Sequence, residues 1–478
     1  MDRERLAEHL TAPAGRGRSF PGAFDGAAGG AACGDLIRVS VRVDGDRVGA
    51  AGFDASGCGA LTAAGSAMVT LVEGAPLLDA ARVGPREIAE ELGGLSPGKL
   101  HAAELAADAL HRALGAAARA GAALPAARER TLVAMSGGVD SAVAALLCAR
   151  DGRDTVAVTL ELWADPANDA EASCCSAHAV RLARAVAHRM GLPHFTLDLR
   201  AEFRAGVVDP FLAGHAAGET PNPCVGCNGH VRLDAMLAFA DALGAADLAT
   251  GHYARRTADG LLRAAADAAK DQTYMLSAVR PSTLARLRFP LGELTKPAVR
   301  ALAAEAGLPV ASKADSQDLC FLAGTGKAAF LARHGGLEDR PGELVDSAGR
   351  VLGRHRGAHH FTVGQRRGIG VGAGEPLYVL LKDADRVVVG RRSELETRTV
   401  ALRGARLHRA GEEVDQVKLR YRSKPIPCRV AGAPEAGAHR RLELELGEAV
   451  DGAAPGQTAC LLRGDVVVGW ATIDSIRR

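Results

Sequence analysis

The order of apolar and polar positions near the N-terminus predicts a small α+β domain. Polar and apolar residues alternate from Leu36 to Val43, Asp44-Gly45-Asp46 supplies a turn, and Arg47 to Phe53 can return as the second strand of a hairpin. Helical periods follow at about 60–73, 85–92 and 100–115. We therefore expect one domain over residues 31–115. Residues 1–30 are rich in Gly and Ala with little periodicity, so we interpret them as a flexible arm.

A second pattern begins after an Ala-rich stretch at 116–130, which we interpret as a linker. Three short apolar strands are predicted, at Thr131–Met135, Thr155–Leu160 and His194–Leu199. Helices are predicted between them, at Ser141–Arg150 and 176–190. Alternating strands and helices of these lengths are typical of a doubly wound, largely parallel sheet. Beyond residue 322 the Gly-rich sequence with short strands indicates an antiparallel β unit at the C-terminus.

Length and composition fit a multidomain protein. The chain has 478 residues, 47% of them hydrophobic and 24% charged, which is too long for one hydrophobic core. A net charge of +2 neither favours nor excludes a nucleic-acid partner, because cations can gather on one face. The N-terminus lacks a signal peptide's apolar core, and no uncharged apolar run reaches the roughly 18 residues of a membrane span. We expect a cytoplasmic protein with no membrane partner, in which the presence of ten cysteines favours metal or sulfur chemistry over structural disulfides.

A glycine-containing loop, Ser136-Gly137-Gly138-Val139-Asp140-Ser141, lies between a predicted strand and a predicted helix. Glycines let the backbone approach an anion closely, and the start of a helix offers unpaired N–H groups. Ser136 and Ser141 can add hydroxyl donors, and Asp140 can cap the helix or help to hold Mg²⁺. The Gly-Lys-Ser/Thr ending of kinase-like NTPases is absent. The loop resembles the pyrophosphate-binding loop of the PP-loop ATPases, which split ATP into AMP and pyrophosphate.

A second motif, Thr220-Pro221-Asn222-Pro223-Cys224-Val225-Gly226-Cys227-Asn228, presents two cysteines on a rigid turn. A C-x-x-C pair by itself can bind zinc, form a redox disulfide or ligate an iron–sulfur cluster. No second C-x-x-C completes a zinc site in this sequence. Cys320, in Asp315-Ser316-Gln317-Asp318-Leu319-Cys320, is the obvious distant partner.

Several motifs that follow one another along the chain resemble the bacterial tRNA-specific 2-thiouridylases over roughly residues 131–478. They are the glycine loop, the stretch around Cys224 and Cys227, Ala249-Thr250-Gly251-His252-Tyr253-Ala254-Arg255, Lys270-Asp271-Gln272-Thr273-Tyr274, Phe289-Pro290-Leu291-Gly292, the Cys320 segment and Thr362-Val363-Gly364-Gln365-Arg366. The resemblance implies a PP-loop catalytic domain of the adenine nucleotide α-hydrolase-like type at 131–322. It also implies a small central tRNA-binding domain at 323–392 and a C-terminal antiparallel β-barrel at 393–478, so the fold class is α/β multidomain.

The same resemblance implies roles for individual residues. Cys227 matches the family's nucleophile, and Cys320 matches the cysteine that carries a persulfide. The positions that contact ATP correspond to Ala134, Met135, Ser136, Gly137, Gly138, Val139, Asp140, Ser141, Leu160 and Gly251. The target base falls at Asn222, Pro223 and Cys224, and further tRNA contacts fall at His252, Lys270, Asp271, Gln272, Arg420, Tyr421 and Gln457.

The implied reaction is 2-thiolation of the wobble uridine of tRNA, with ATP and Mg²⁺. Adenylation turns the uracil C2 oxygen into a leaving group, and a persulfide on Cys320 then supplies the sulfur. Attack by Cys227 on the S–S bond releases that sulfur and leaves a Cys227–Cys320 disulfide. The expected partners are tRNA and a cysteine desulfurase or another sulfur donor.

Cys224 departs from the commonest form of this motif, which has Asp at that position. Cys224, Cys227 and Cys320 can therefore hold three corners of an iron–sulfur cluster, with an open iron site to carry hydrosulfide. The persulfide and cluster routes use the same residues for different chemistry, and the sequence leaves both open.

The N-terminal region resembles the NifU/IscU-like scaffold proteins of iron–sulfur cluster assembly over about residues 25–115. The motifs that carry this resemblance surround Cys33 and Cys58 and include Leu95-Ser96-Pro97-Gly98-Lys99-Leu100-His101. The implied metal ligands are Cys33, Asp35, Cys58 and His101, but Ala102 stands where the scaffolds have a third cysteine. This domain can bind zinc or a cluster, relay sulfur to Cys320, or serve only in docking.

Two other functions compete with tRNA thiolation. One is another PP-loop adenylating ligase or amidotransferase, which would have no use for Cys227 or Cys320. The other is a non-enzymatic iron–sulfur or sulfur carrier with a degenerate loop, against which the intact loop argues. Basic stretches at Arg354-His355-Arg356 and Lys418-Leu419-Arg420-Tyr421-Arg422 favour phosphate contact, and hence RNA.

Overall fold

The computed structural model describes residues 2–29, 34–165, 176–315, 319–372, 374–383 and 385–477. The chain forms two compact units, each assembled from three segments. The first unit comprises Met1–Ala201, Ala235–His252 and Arg286–Phe321, and the second comprises Glu202–Asp234, Tyr253–Ala285 and Leu322–Arg478. No helix in the described ranges is both long enough and apolar enough to span a bilayer.

A three-stranded antiparallel sheet covered by helices forms the N-terminal part of the first unit. Its elements are α1 (Arg3–Thr11), β1 (Phe24–Gly29), β2 (Leu36–Asp44), β3 (Arg47–Ser56), α2 (Gly59–Val72), α3 (Leu77–Ala80), α4 (Pro85–Glu91) and α5 (Leu100–Gly121). The strand order is β1-β2-β3. The predicted hairpin is confirmed, since Asp44 pairs with Arg47 across a turn in which Gly45 has a φ of +66°.

The flexible arm expected at residues 1–30 is wrong, because this segment contains α1 and β1. Asp2 caps α1 by accepting from the backbone N–H of Glu4 at 3.0 Å, and His9 hydrogen-bonds Ser66 at 2.8 Å. Because β1 consists largely of Gly and Ala, its sequence lacks the alternation of large apolar and polar residues that predicts a strand. These small residues are needed for close packing, since a Cβ on Gly26 would lie 2.1 Å from the carbonyl oxygen of Ala109 in α5.

The remainder of the first unit is built on a five-stranded parallel sheet. From Ala127 to Glu305 the chain forms β4 (Ala127–Ala134), α6 (Val139–Arg150), β5 (Asp154–Glu161), α7 (Ala177–Arg189), β6 (His194–Asp198), α8 (Arg200–Phe203), α9 (Asp209–Ala216), α10 (Pro223–Cys227), α11 (Leu233–Ala242), β7 (Ala245–Thr250), β8 (Arg255–Arg256), β9 (Leu262–Arg263), α12 (Thr273–Leu276), α13 (Pro281–Leu284), β10 (Leu287–Arg288) and α14 (Lys296–Glu305). Of these elements, α9, α10, β8, β9, α12 and α13 belong to the second unit. The strand order β10-β7-β4-β5-β6 confirms the predicted doubly wound sheet. Its connections reverse direction between β4 and β7, which is where such sheets bind ligands.

The linker expected at 116–130 is also wrong, because α5 continues to Gly121 and β4 begins at Ala127. Helix α5 packs against β6, and a Cβ on Gly115 would lie 1.9 Å from the carbonyl oxygen of Thr196. In addition, Asp108 on α5 forms a buried ion pair of 2.6 Å with Arg184 on α7. The N-terminal part is therefore joined to the parallel sheet by a packed interface within one unit.

The second unit contains a small mixed sheet and a closed barrel. Its remaining elements are α15 (Lys327–Gly335), β11 (Gly342–Val345), β12 (Val351–His355), β13 (Tyr378–Lys382), β14 (Arg386–Gly390), β15 (Glu396–Leu407), β16 (Gln416–Lys418), β17 (Ile426–Val430), β18 (Gly437–Asp451), β19 (Thr458–Arg463) and β20 (Val466–Arg477). The small sheet has the order β12-β11-β14-β13. Pairing of β15 with β20 closes the barrel β15-β18-β17-β16-β19-β20 around an aliphatic core, and β9 and β8 continue the sheet beyond β20.

We predict that Asp108→Ala lowers the free energy of unfolding by about 3–5 kcal/mol, because it leaves the buried Arg184 guanidinium without its carboxylate. Glu90→Ala is the matched control, since the Arg86–Glu90 pair is exposed and its loss should leave the free energy of unfolding nearly unchanged. Chemical denaturation followed by circular dichroism measures both changes. Equal losses in the two variants would contradict a stabilising role for the buried pair.

Candidate active site

The loop Ser136–Ser141 connects β4 to α6 at the point where the sheet connections reverse. Gly137 adopts a φ of +68°, and a Cβ there would meet the carbonyl oxygen of Ala179 at 2.7 Å. Helix α6 begins at Val139 with Gly138 as its N-cap, so Asp140 lies in the first turn and is not the cap considered above. The Ser141 hydroxyl accepts from the backbone N–H of Ser136 at 3.1 Å. A glycine loop ending at a helix N-terminus is a ready-made anion site.

Two lysines that the sequence reasoning missed lie at this loop. The Nζ of Lys296 contacts both carboxylate oxygens of Asp140 at 2.7 and 2.8 Å and Oδ1 of Asp315 at 2.8 Å. Lys296 is buried, which is unusual for lysine, and the two carboxylates compensate the charge of its ammonium group. The Nζ of Lys313 donates to the carbonyl oxygen of Gly137 at 2.9 Å. The only signal in the sequence was Lys296 at the start of a helix capped by Thr295.

Gly251 follows β7 and completes the edge of the site. A Cβ at this position would lie 2.7 Å from the backbone nitrogen of Ser141, so only glycine lets β7 approach the loop. Ala134 ends β4 and pairs with Val158 and Thr250 on the neighbouring strands, and Met135 donates its N–H to Val158. The predicted ATP-contacting positions on β4, the loop and β7 are thus brought together. Leu160 belongs to β5, the strand beside β4, and is buried.

Cys320 belongs to the same unit as the loop and is half-buried. Asp315, five positions earlier, is held by Lys296 and by Arg300 at 3.0 Å. Ser316, Gln317 and Asp318 of the motif lie outside the described residues. His252 is also in this unit, and its Nδ1 hydrogen-bonds the hydroxyl of Thr250 at 2.8 Å.

The other predicted nucleophile lies on α10 in the second unit. Asn222 caps this helix by accepting from the backbone N–H of Cys224 at 3.2 Å, and Pro223 occupies the first helical position. Cys224 is half-buried and Cys227 is buried, and their i, i+3 spacing puts both thiols on one side of the helix. A π-helical turn, Asn228–Arg232, follows directly, and such turns are frequent at functional sites.

Tyr421 is a predicted tRNA-contacting residue of the second unit, and other predicted tRNA-contacting residues influence its hydroxyl group. Burial raises the pKa of its hydroxyl, and the charges of Arg422, Asp271, Lys270 and Cys224 also act on that pKa, so we refer to Tyr421 and these groups as the Tyr421 cluster. The ring centroid of Tyr274 lies 6.1 Å away.

Asp271 and Gln272 hold their own loop in place. The Asp271 carboxylate accepts from the hydroxyl of Thr273 at 2.8 Å and from the N–H of Ala265 at 3.1 Å. Gln272 Oε1 accepts from the N–H of Tyr253 at 3.0 Å. A direct tRNA contact by either side chain stays a prediction.

Gln457 and Arg420 also make contacts inside the second unit. Gln457 Nε2 donates to the carbonyl oxygen of Thr220 at 2.5 Å, which ties the cysteine motif to the barrel. The guanidinium of Arg420 donates to the carbonyl oxygen of Gly452. These positions remain predicted tRNA contacts.

A candidate metal centre lies in the N-terminal part of the first unit. Donor atoms of Asp35, Cys58 and His101 lie within 4.8 Å of one another. Asp35 Oδ2 is 3.2 Å from Cys58 Sγ and 3.0 Å from His101 Nε2. Cys33 lies outside the described residues. Ala102, in place of a further cysteine, is fully buried.

The donor set fits a metal ion. His101 Nδ1 lies 3.1 Å from the carbonyl oxygen of Gly98, to which only an N–H can donate. In the neutral imidazole, Nε2 then carries a lone pair that faces the Asp35 carboxylate, and a cation between them removes the repulsion. A Cβ on Gly57 would lie 2.1 Å from Asp35 Oδ1, so glycine keeps room for this carboxylate. One imidazole, one thiolate and one carboxylate suit Zn²⁺.

Comparisons with known proteins cover the whole chain. Sequence profiles match the NifU-like N terminal domain at residues 1–120, the tRNA methyl transferase HUP domain at 129–324, the tRNA methyl transferase PRC-barrel domain at 328–391 and the aminomethyltransferase beta-barrel domain at 404–473. The chain is 45% identical to the bifunctional protein NifU/MnmA of Rubrobacter xylanophilus, over 98% of both chains. It is 45% identical to the tRNA-specific 2-thiouridylase MnmA of Methylorubrum extorquens over 73% of this chain and 94% of that one. The Moorella thermoacetica protein of the same name is 40% identical over 72% and 99%.

We predict that Gly251→Ala weakens ATP binding at the loop at least about tenfold, because the new methyl group displaces the backbone of Asp140 and Ser141. Isothermal titration with ATP and Mg²⁺ measures the affinity. Gly372→Ala is the control, since a Cβ at that position meets nothing within 4 Å. Unchanged affinity in Gly251→Ala would contradict nucleotide binding at this edge of the sheet.

We predict that Cys58→Ser and His101→Ala each abolish stoichiometric zinc binding by the N-terminal part, because each removes a donor of the three-residue centre. Zinc content after loading and dialysis, measured by mass spectrometry, gives the result. Cys428→Ser is the matched control, since that half-buried thiol lies in the barrel, where burial raises its pKa to about 12. Full zinc content in Cys58→Ser would refute the site.

Proposed function

Since the chain belongs to the family of bifunctional NifU/MnmA proteins and tRNA-specific 2-thiouridylases, we propose that it thiolates the C2 position of the wobble uridine in tRNA, using ATP. The observation that carries the proposal is the glycine loop Ser136–Ser141 at the switch point of the parallel sheet, with two lysines beside it. Such a loop suits the pyrophosphate of ATP. The reaction belongs in the cytoplasm, where thiols stay reduced.

In the first step, the uracil C2 oxygen attacks the α-phosphorus of ATP and pyrophosphate leaves. The backbone N–H groups of the loop bind the phosphates, and Lys296 and Lys313 add positive charge where the leaving group gains negative charge. Asp140 is the loop residue that would hold Mg²⁺, which screens phosphate charge when bound. Lys296 then keeps Asp315 as its partner, so Asp140 can change partners without leaving a buried lysine unpaired.

In the second step, sulfur replaces the activated oxygen. The terminal sulfur of a persulfide on Cys320 attacks C2, and AMP leaves with the former C2 oxygen. The Cys227 thiolate then attacks the Cys320 sulfur, the S–S bond breaks, and its electron pair stays on the sulfur bound to C2. The products are 2-thiouridine and a Cys227–Cys320 disulfide, which a thiol reductant must reduce before the next turnover. A cysteine desulfurase would restore the persulfide.

Cys320 belongs to the first unit and Cys227 to the second. The first unit contributes the loop and the persulfide cysteine. The second contributes Cys227 and the cluster around Tyr421, which combines an aromatic ring with Lys270 and Arg422. An aromatic ring flanked by cations suits an unstacked base and its phosphates. This supports the assignment of RNA as the substrate.

The N-terminal part would supply sulfur or metal to the same enzyme. Its centre at Asp35, Cys58 and His101 would hold Zn²⁺, which orders the thiolate that receives or passes on sulfur. The packed interface between α5 and β6 keeps this centre in the same unit as Cys320. A covalently attached sulfur source has a high effective concentration.

We predict that Cys227→Ser and Cys320→Ser each abolish thiouridine formation, because each removes one sulfur atom of the proposed exchange. The assay combines unmodified tRNA, ATP, Mg²⁺, a cysteine desulfurase and cysteine, and detects thiouridine by mass spectrometry. Peptide mass spectrometry should find a persulfide on Cys320 in Cys227→Ser. Cys428→Ser should thiolate at the wild-type rate. Thiouridine formation at the wild-type rate by Cys320→Ser would sink the persulfide mechanism.

An iron–sulfur cluster is the second candidate mechanism, because Cys224 lies one helical turn from Cys227 on α10 and both could ligate such a cluster. An anaerobic absorption spectrum of the wild type and of Cys224→Asp distinguishes the two. Full activity of Cys224→Asp without an iron chromophore excludes the cluster. An iron chromophore that disappears together with activity in Cys224→Asp establishes it.

A further inference from the structure

A basic cleft in the second unit takes no part in the mechanism above. Its volume is about 620 Å³, and its walls come from strands β15, β18 and β20, from residues 278–282 and from the turn that follows α10. The side chains that characterise it are His230, Arg280, Arg406, His439, Arg440 and Trp470. All of them belong to one compact unit.

The ionisable side chains that line this cleft are all basic. Three arginines and three histidines line it, and the described residues in its walls include no carboxylate. Arg280 is paired with Asp234 at 2.5 Å. Burial, reinforced by the nearby Arg406, lowers the pKa of His408, which is therefore neutral at pH 7. The cationic character comes mainly from Arg406 and Arg440, which are exposed and form no ion pair with another described residue.

An aromatic wall stands next to these cations. Trp470 on β20 is the cross-strand partner of Arg406 on β15, so both side chains leave the same face of the barrel. The imidazole of His230 lies 6.1 Å from the Trp470 ring, at an interplanar angle of 50°. His230 is exposed and Trp470 is half-buried, so a face of each ring is open to solvent. Small apolar residues, Val279, Ala405 and Ala438, complete the wall.

The position of the cleft relates it to the active-site helix. His230 follows Cys227 by three residues in the continuous turn Asn228–Arg232, roughly 5 Å further along a helix. A ligand in the cleft would therefore be anchored directly beyond the end of the cysteine helix. Adjacent cations with an aromatic platform are the combination that binds an unpaired nucleotide, by stacking on the base and pairing with the phosphates.

We propose that this cleft binds an unpaired nucleotide of the tRNA other than the uridine that is thiolated, with its base against Trp470 and its phosphates against Arg406 and Arg440. The proposal rests on the function proposed above. It adds a second point of attachment on the outer face of the barrel, separate from the Tyr421 cluster.

The test uses the full-length protein with Trp163→Phe, in which Trp470 is the sole tryptophan, since the chain has two. Unmodified tRNA should quench Trp470 fluorescence. In direct binding, Arg406→Ala with Arg440→Ala should weaken tRNA affinity at least about tenfold and reduce the slope of log affinity against log salt by about 1.4, the loss of two phosphate contacts. Trp470→Phe should retain more affinity than Trp470→Ala, because a phenyl ring still stacks.

Arg429→Ala is the matched control, since this exposed arginine pairs with Glu445 on the barrel outside the cleft. Its affinity for tRNA should stay within about twofold of the wild type. Thermal unfolding of every variant confirms that the barrel remains folded.

Two results would overturn the inference. One is unchanged tRNA affinity in the folded double arginine variant. The other is quenching of Trp470 by free AMP as effective as that by tRNA, which would assign the cleft to a mononucleotide. Wild-type thiolation, measured with the same tRNA, separates this inference from the proposed function. If the wild type thiolates the tRNA but the double arginine variant binds tRNA as tightly as the wild type, only the cleft inference is wrong. If tRNA quenches Trp470 fluorescence but the wild type does not thiolate the tRNA, only the proposed function is wrong.

Discussion

Parallel pairing of β4 with both β5 and β7 is the constraint on which the first unit depends. It puts the carboxyl ends of β4 and β7 side by side, so that the loop after β4 and Gly251 after β7 meet at one edge. The missing side chain of Gly251 lets the two backbones approach. The start of α6 then directs its unpaired N–H groups to the same place. An anion site follows from this topology without any dedicated cationic motif in the loop.

Two groups of buried charges in the described part of the first unit are paired. Lys296 lies between Asp140 and Asp315, and so connects the phosphate loop with the segment that leads to Cys320. Arg184 and Asp108 form a similar buried pair where α5 meets the parallel sheet. Because an unpaired buried charge is costly, each pair specifies its packing arrangement strongly. The first group lies at the proposed reaction centre, and the second lies where α5, which carries His101 of the candidate metal centre, packs beside the parallel sheet.

Charge on the barrel is segregated, although the protein as a whole is nearly neutral. The net charge is +2, yet the described walls of the cleft beside Trp470 contain arginine and histidine without a carboxylate. Elsewhere on the barrel most arginines are paired, as Arg403 is with Glu219 and Arg463 with Glu413. Segregation of charge, and not its total, therefore creates the electrostatic footprint that a polyanion would recognise.

The sequence by itself determined the parallel sheet and the antiparallel C-terminal unit, because both depend on local periodicity, and it located the glycine loop between a strand and a helix from a short motif. It mistook residues 1–30 for a flexible arm and 116–130 for a linker. The Gly and Ala that suggested disorder in the first of these segments serve close packing, as Gly26 shows against the carbonyl oxygen of Ala109. Only the tertiary structure could reveal Lys296 beside Asp140, which are 156 positions apart. The pairing of Trp470 with Arg406 likewise depends on barrel register, which no local pattern encodes.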